Sequence, residues 1–154
     1  MSLDASDFDQ VENKIRLKPT PKRTNRTLFI DDETAFILRR WLRVREGMNR
    51  KRSPALFIST QGNRISRNDV YLVVVKAAKR IGLHDPESDR MEDRFSPHCC
   101  RHWFTTHLRR AGMRREFIQE LRGDARREAI DIYDHIDLKE LKEAYLAAIP
   151  QLGI

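Results

Sequence analysis

SPHCCRHWFTTHLRRAGMRREFIQELRGDARREAIDIYDHID, residues 96–137, decides the fold. Ser96-Pro97 opens a helix, because proline at the first helical position has no N–H to leave unpaired. The spacing predicts a helix to Arg110, stopped at Gly112, then a second over Arg114–Arg122, stopped at Gly123. Arg127–Tyr133 reads as a short helix or turn. His98 and Arg101 are three apart, so their side chains share a helix face. Both sit in the first turn, where the positive dipole end and open N–H groups favour an anion. Imidazole and guanidinium together can hold a phosphate and neutralise charge that develops on it. A lone His-x-x-Arg pair is common, however, and by itself reads more simply as a cap and a surface charge. By itself Tyr133 reads as a packed aromatic.

Upstream, Asn13–Lys18 alternates polar and apolar residues as a strand does, and Pro19-Thr20-Pro21 ends it. Arg26–Ile30 is a second strand, and the two can form a hairpin with a Pro- and Lys-rich tip. Residues 1–12 read as an irregular lead-in. Asp31-Asp32-Glu33 places acids at a helix start, and Phe36, Ile37, Arg40, Trp41 and Val44 follow at helical spacing. Leu56-Phe57-Ile58 is expected as the third strand. Ser66 can cap a helix running to Ile81, ended by Gly82, and His84–Phe95 reads as a loop. Leu138–Ala148 is a terminal helix. The fold class is α+β, mostly helical with a small antiparallel three-stranded sheet. Trp41, Phe36, Trp103 and Phe104 are expected in the core rather than as base-stacking groups.

The 154 residues amount to one ordinary domain, with 40% hydrophobic and 34% charged residues, enough for a single modest core. No run of 18 apolar residues occurs, which leaves no transmembrane helix. The N-terminus lacks a basic-then-apolar signal pattern, so a cytoplasmic site is expected. Two adjacent cysteines, Cys99 and Cys100, exclude a disulfide framework. Net charge is +7, but residues 91–154 hold 11 basic and 11 acidic residues. The excess sits in Lys14–Arg52, with 13 basic against 4 acidic residues. A positive segment so concentrated suits a polyanion, nucleic acid above all, although a solvated basic face would read the same.

Residues 96–137 resemble the end of the tyrosine recombinase (phage integrase) family. That family's pattern is His-x-x-Arg-His, an apolar/Thr run, Gly, a Leu-Gly-His step and a nucleophilic Tyr nine residues on. His98, Arg101 and His102 match the opening, Gly112 the turn, and Leu121-Arg122-Gly123-Asp124 the Leu-Gly-His step. Tyr133 lies nine residues after Asp124 and 32 after Arg101, in the family's register. The family also carries a catalytic Lys in a hairpin turn, which KPTPKRTNRTLFI (residues 18–30) resembles. Lys22, four residues before Arg26, is the better match, and Lys18 is the alternative.

The resemblance implies a metal-free reaction with no cofactor. A tyrosine hydroxyl attacks a DNA phosphodiester and forms a 3′-phosphotyrosyl bond that a DNA 5′-hydroxyl later reverses. Tyr133 would be the nucleophile, Arg101 the phosphate clamp, His98 a phosphate contact or proton-transfer group, and Lys22 the general acid. Lys18, Arg23, Arg26 and His102 would contact DNA. Double-stranded DNA is then the partner, in a homo-oligomer on DNA, with no membrane and no small-molecule cofactor. The family's C-terminal helix often docks on a neighbouring protomer.

Two departures stand out. Asp124 occupies the place of a His or Trp, and an ionised acid cannot donate to phosphate. It could instead orient Arg101 or His98. The family's first catalytic Arg would fall before Met1, since Leu3–Asp9 resembles the stretch after it. The expectation is therefore a single domain, residues 1–154, without that Arg segment or an N-terminal DNA-clamping domain, and of low or no activity as it stands. A non-catalytic DNA-binding module of the same fold and a type IB topoisomerase-like strand relaxer are the alternatives. Zinc on His98, His102 and the cysteines is a rival reading without a second ligand pair at finger spacing.

Overall fold

The computed structural model describes residues 3–19, 25–124 and 136–153. They divide into two compact units, Met1–Arg64 with Leu108–Ile154, and Ile65–His107. Among the described residues no helix is long and apolar enough to cross a membrane.

The first unit holds the sheet. Strands β1 (Phe8–Asp9), β2 (Lys14–Leu17) and β3 (Arg26–Phe29) run antiparallel in that order, with Phe8 opposite Ile15 and Ile15 opposite Leu28. The β1–β2 turn is local chemistry. The Asp9 carboxylate accepts the backbone N–H groups of Val11 and Glu12, and Asn13 takes a left-handed φ of 49° that asparagine tolerates. Helix α1 (Asp32–Met48) starts where the acids placed it, with Thr34 N–H donating to the Asp31 side chain. Ala35 and Leu38 of α1 bury against Phe8, with Ile15, Ile30 and Leu42 around them.

The third strand lies elsewhere than the sequence pattern predicts. Residues 56–58 make only an isolated bridge, Ile58 with Arg64, and the strand is Phe8–Asp9, within the stretch expected to be an irregular lead-in. The reason is competition for backbone groups. The Trp41 indole donates to Leu56 O at 2.8 Å, and Arg45 donates to Ala55 O at 2.8 Å and to Ser53 O. Leu56 N–H goes to Leu3 O and Ala5 N–H to Pro54 O, so the lead-in and residues 53–56 satisfy each other. Arg45 is only 8% exposed and forms no ion pair among the described residues. Its charge is stabilised by those carbonyls. Arg45→Met should therefore cost about 3 kcal/mol, since each hydrogen bond to a charged group contributes roughly 1.5–3 kcal/mol. A melt followed by circular dichroism should show a midpoint lower by about 6–12 °C. No shift would mean that the Ser53 and Ala55 carbonyls do not depend on Arg45.

Helix α4 (Arg115–Arg122) belongs to the same unit and buries Phe117, Ile118 and Leu121. Helix α5 (Leu138–Ala148) lies against β3, with Leu141 fully buried. The Tyr145 phenol is pushed above its usual range, first by burial and then by the Asp31 charge. Beyond α5, Leu152 and Gly153 donate their N–H groups to the Glu33 carboxylate in the first turn of α1. Phe36 is half exposed, with the Arg40 guanidinium 5.7 Å from its ring centroid, contrary to the core position expected for it.

The second unit, Ile65–His107, contains α2 (Arg67–Arg80) and the start of α3 (Pro97–Arg110). Ser66 and Asp69 form a reciprocal capping box, which holds the Asp69 carboxyl below its usual range. Between the helices, Asp85 N–H donates to Asp93 O, Met91–Asp93 makes one 3₁₀ turn, and a His84 ring nitrogen meets Phe95 O at 3.0 Å. Ala78 is this unit's one buried apolar side chain among the described residues. Trp103, expected in a core, is 55% exposed and stacks on His107 at 4.6 Å.

Candidate functional site

In the second unit, α3 places His98, Arg101 and His102 on its N-terminal half. Pro97 stands at the first helical position as expected. The cap is unusual. Ser96 N–H donates to Cys99 Sγ at 3.4 Å, so a thiol fills the role that an acid usually takes in a capping box. No acidic residue stands in the first turn of α3, which suits a site for an external anion. His98 and His102 are exposed, and Arg101 is partly buried. Thr105 Oγ1 donates back to Arg101 O at 3.0 Å. Among the described residues no three His, Cys, Asp or Glu side chains stand close enough to share a metal ion.

The first unit holds the other described candidates. Lys18 follows β2 and pairs with Asp4 at 3.0 Å and Asp7 at 3.6 Å. The hydrogen bond to Asp4 holds its ammonium above the usual lysine range. Asp4 is held below its own, first by Arg64 and then by Lys18. Arg26 opens β3, and its Nε donates to Leu121 O at 3.2 Å. Asp124 follows the C-terminus of α4, where its Oδ2 lies 3.1 Å from Arg122 Nε. Lys22, Arg23 and Tyr133 lie outside the described residues.

Three features are not apparent from the sequence. Arg122 is an ionic partner of Asp124. Asp4 and Asp7 hold Lys18. Arg26 spends its Nε on a backbone carbonyl 95 residues away in sequence. Only the first has a local signal, two opposite charges flanking Gly123.

The phage integrase family pattern matches residues 1–140. Tyrosine recombinase XerC of Haemophilus ducreyi is 32% identical over 149 residues, which are 97% of this chain and 46% of that protein. Tyrosine recombinase XerD of Corynebacterium glutamicum is 33% identical over 110 residues, 71% of this chain and 34% of that protein. The chain thus spans about half the length, or less, of these relatives. Among solved structures, XerA recombinase superposes with a TM-score of 0.69 at 25% identity, over 97% of this chain and 52% of that one. XerH site-specific recombinase bound to its difH substrate gives 0.63 at 24% identity, over 94% of this chain and 40% of that one, a likeness of fold. The mostly helical fold with its small antiparallel sheet agrees with these comparisons. The chain belongs to the phage integrase family, and these relatives are named tyrosine recombinases.

Proposed function

We propose that this chain is the catalytic part of a site-specific DNA recombinase that cuts and rejoins strands through a 3′-phosphotyrosyl intermediate. The observation that carries the reading is the placing of His98 and Arg101 in the first turns of α3, with Tyr133 in the family's register 32 residues after Arg101. Tyr133 Oη attacks the phosphorus as the P–O5′ bond breaks, and its phenolic proton passes to solvent. Lys22 donates the proton that the leaving 5′-oxygen takes up, and Arg101 and His98 hold the non-bridging oxygens. Reversal by another 5′-hydroxyl rejoins the strand and frees Tyr133. Lys18 is the poorer general acid, because its pairing with Asp4 makes it a weaker proton donor.

Double-stranded DNA as substrate is supported by the basic Lys14–Arg52 segment and by relatives solved with DNA, XerH on difH and the Tn1549 transposon integrase on transposon-end DNA. The work is cytoplasmic, and several protomers act on one DNA. One observation favours a second reading, a non-catalytic DNA-binding module. Asp124, in the place of the family's His, is engaged by Arg122 and offers no cationic donor.

The test is trapping on a nicked suicide duplex in EDTA. A covalent protein–DNA adduct carrying the DNA on Tyr133, read by gel and peptide mapping, is expected. DNA that is bound without an adduct would move the assignment to the binding module.

A further inference from the structure

We propose that Arg26 is a positioning residue that locks the turn bearing Asp124 to β3, and is not a DNA contact. Its bearing on strand cleavage rests on the function proposed above. The end of α4 is closed by two backbone bonds, Gly123 N–H to Glu120 O at 2.9 Å and Asp124 N–H to Gln119 O at 3.1 Å. This is a Schellman closure, and it needs the left-handed φ of +64° that Gly123 adopts. The closure leaves Leu121 O, one of the four carbonyls that a helix end cannot satisfy internally. Arg26 Nε donates to it at 3.2 Å, which also sets a cation at the negative end of α4.

The same guanidinium lies across Gly123. A Cβ built there would meet Arg26 Nη1 at 2.3 Å, Cζ at 2.6 Å and Cδ at 2.9 Å. Only glycine allows this approach, so Gly123 serves both the backbone turn and the arginine. Asp124, the next residue, is held by Arg122. Arg26 stands four residues after Lys22, and Asp124 nine before Tyr133. One side chain thus ties the strand leaving the lysine hairpin to the turn entering the tyrosine segment.

The lock is tested by a double-mutant cycle in thermal stability, with Arg26→Ala, Gly123→Ala and both together. In the unaltered chain Gly123→Ala meets both backbone strain and the Arg26 side chain. In Arg26→Ala it meets the backbone strain alone, so its loss in melting midpoint should fall by about half. Additive losses would overturn the lock. Should Gly123→Ala fail to fold, its recovery on adding Arg26→Ala would support the lock, and continued failure would overturn it. DNA binding supplies the second arm. A lock leaves the slope of log affinity against log salt unchanged in Arg26→Ala. A phosphate contact lowers it by about 0.9, which would also overturn the proposal.

The third arm separates positioning from mere support. Arg26→Lys keeps the charge and loses the fork. At saturating DNA its rate of adduct formation should fall about tenfold while its affinity holds, as expected of a displaced group. An unchanged rate would reduce Arg26 to a structural role and overturn the positioning claim. If the unaltered chain binds DNA and forms no adduct, the proposed function fails, and the cycle and the salt slope still decide the lock.

Discussion

Tyr133→Phe should bind a nicked suicide duplex as the unaltered chain does and give no covalent adduct. Phenylalanine keeps the ring and removes the one oxygen that can attack phosphorus. The ring is therefore retained, and the proposed nucleophile is lost outright rather than weakened. The comparison is clean because the phosphotyrosyl bond survives denaturation, whereas non-covalent DNA binding does not. An adduct from Tyr133→Phe would place the nucleophile elsewhere. Its peptide map would name the residue, with Tyr71 and Tyr145 the chain's other two tyrosines.

Arg101→Ala has the next largest expected effect, a loss of about 10²–10³ in adduct formation, the usual result of removing one preorganised donor from a developing anion. A planar fork that stays protonated can hold two phosphate oxygens at once, and alanine holds none. The fold should survive. Alanine is the better helix former, and the link between Arg101 and Thr105 uses the backbone carbonyl, which the substitution retains. Equal melting midpoints with a slowed adduct would assign Arg101 to the phosphate. A collapse in melting would make it a structural residue. Arg101→Lys should restore part of the lost rate, because charge returns without the fork.

What is legible in the sequence is local. The acids of Asp31-Asp32-Glu33, the Ser66 cap, Pro97 at the start of α3 and Gly123 at the end of α4 are signals within one helical turn, and the structure places each as read. The third strand is not legible. Phe8–Asp9 has no strand pattern of its own and exists because Ile15 and Lys14 lie opposite it. Leu56–Ile58 has the pattern, but α1 claims the carbonyls at its start, Leu56 O by Trp41 and the preceding Ala55 O by Arg45. Phe36 and Trp103 sit on helices at the expected spacing, yet which face a helix buries depends on what lies opposite. The same division holds at the site. His98, Arg101 and the Asp124 register can be counted along the chain. The hold of Asp4 on Lys18 and of Arg26 on Leu121 joins residues 14 and 95 apart in sequence, and no local pattern announces such pairs.

The sparse interior of Ile65–His107 has an energetic meaning. Fifteen apolar side chains are buried among the described residues, and Ala78 alone belongs to this unit. So few buried apolar side chains put the unit toward the low end of the molecule's opening free energies. Amide hydrogens of α2 and of residues 97–107 should exchange faster than those of β2 and β3. Because His98 and Arg101 sit on this soft segment, an anion captured there must order it, and the ordering draws on the binding free energy. Added DNA should then slow exchange in α3 more than in the sheet. The residues proposed to hold phosphate would, in that sense, be assembled by what they hold.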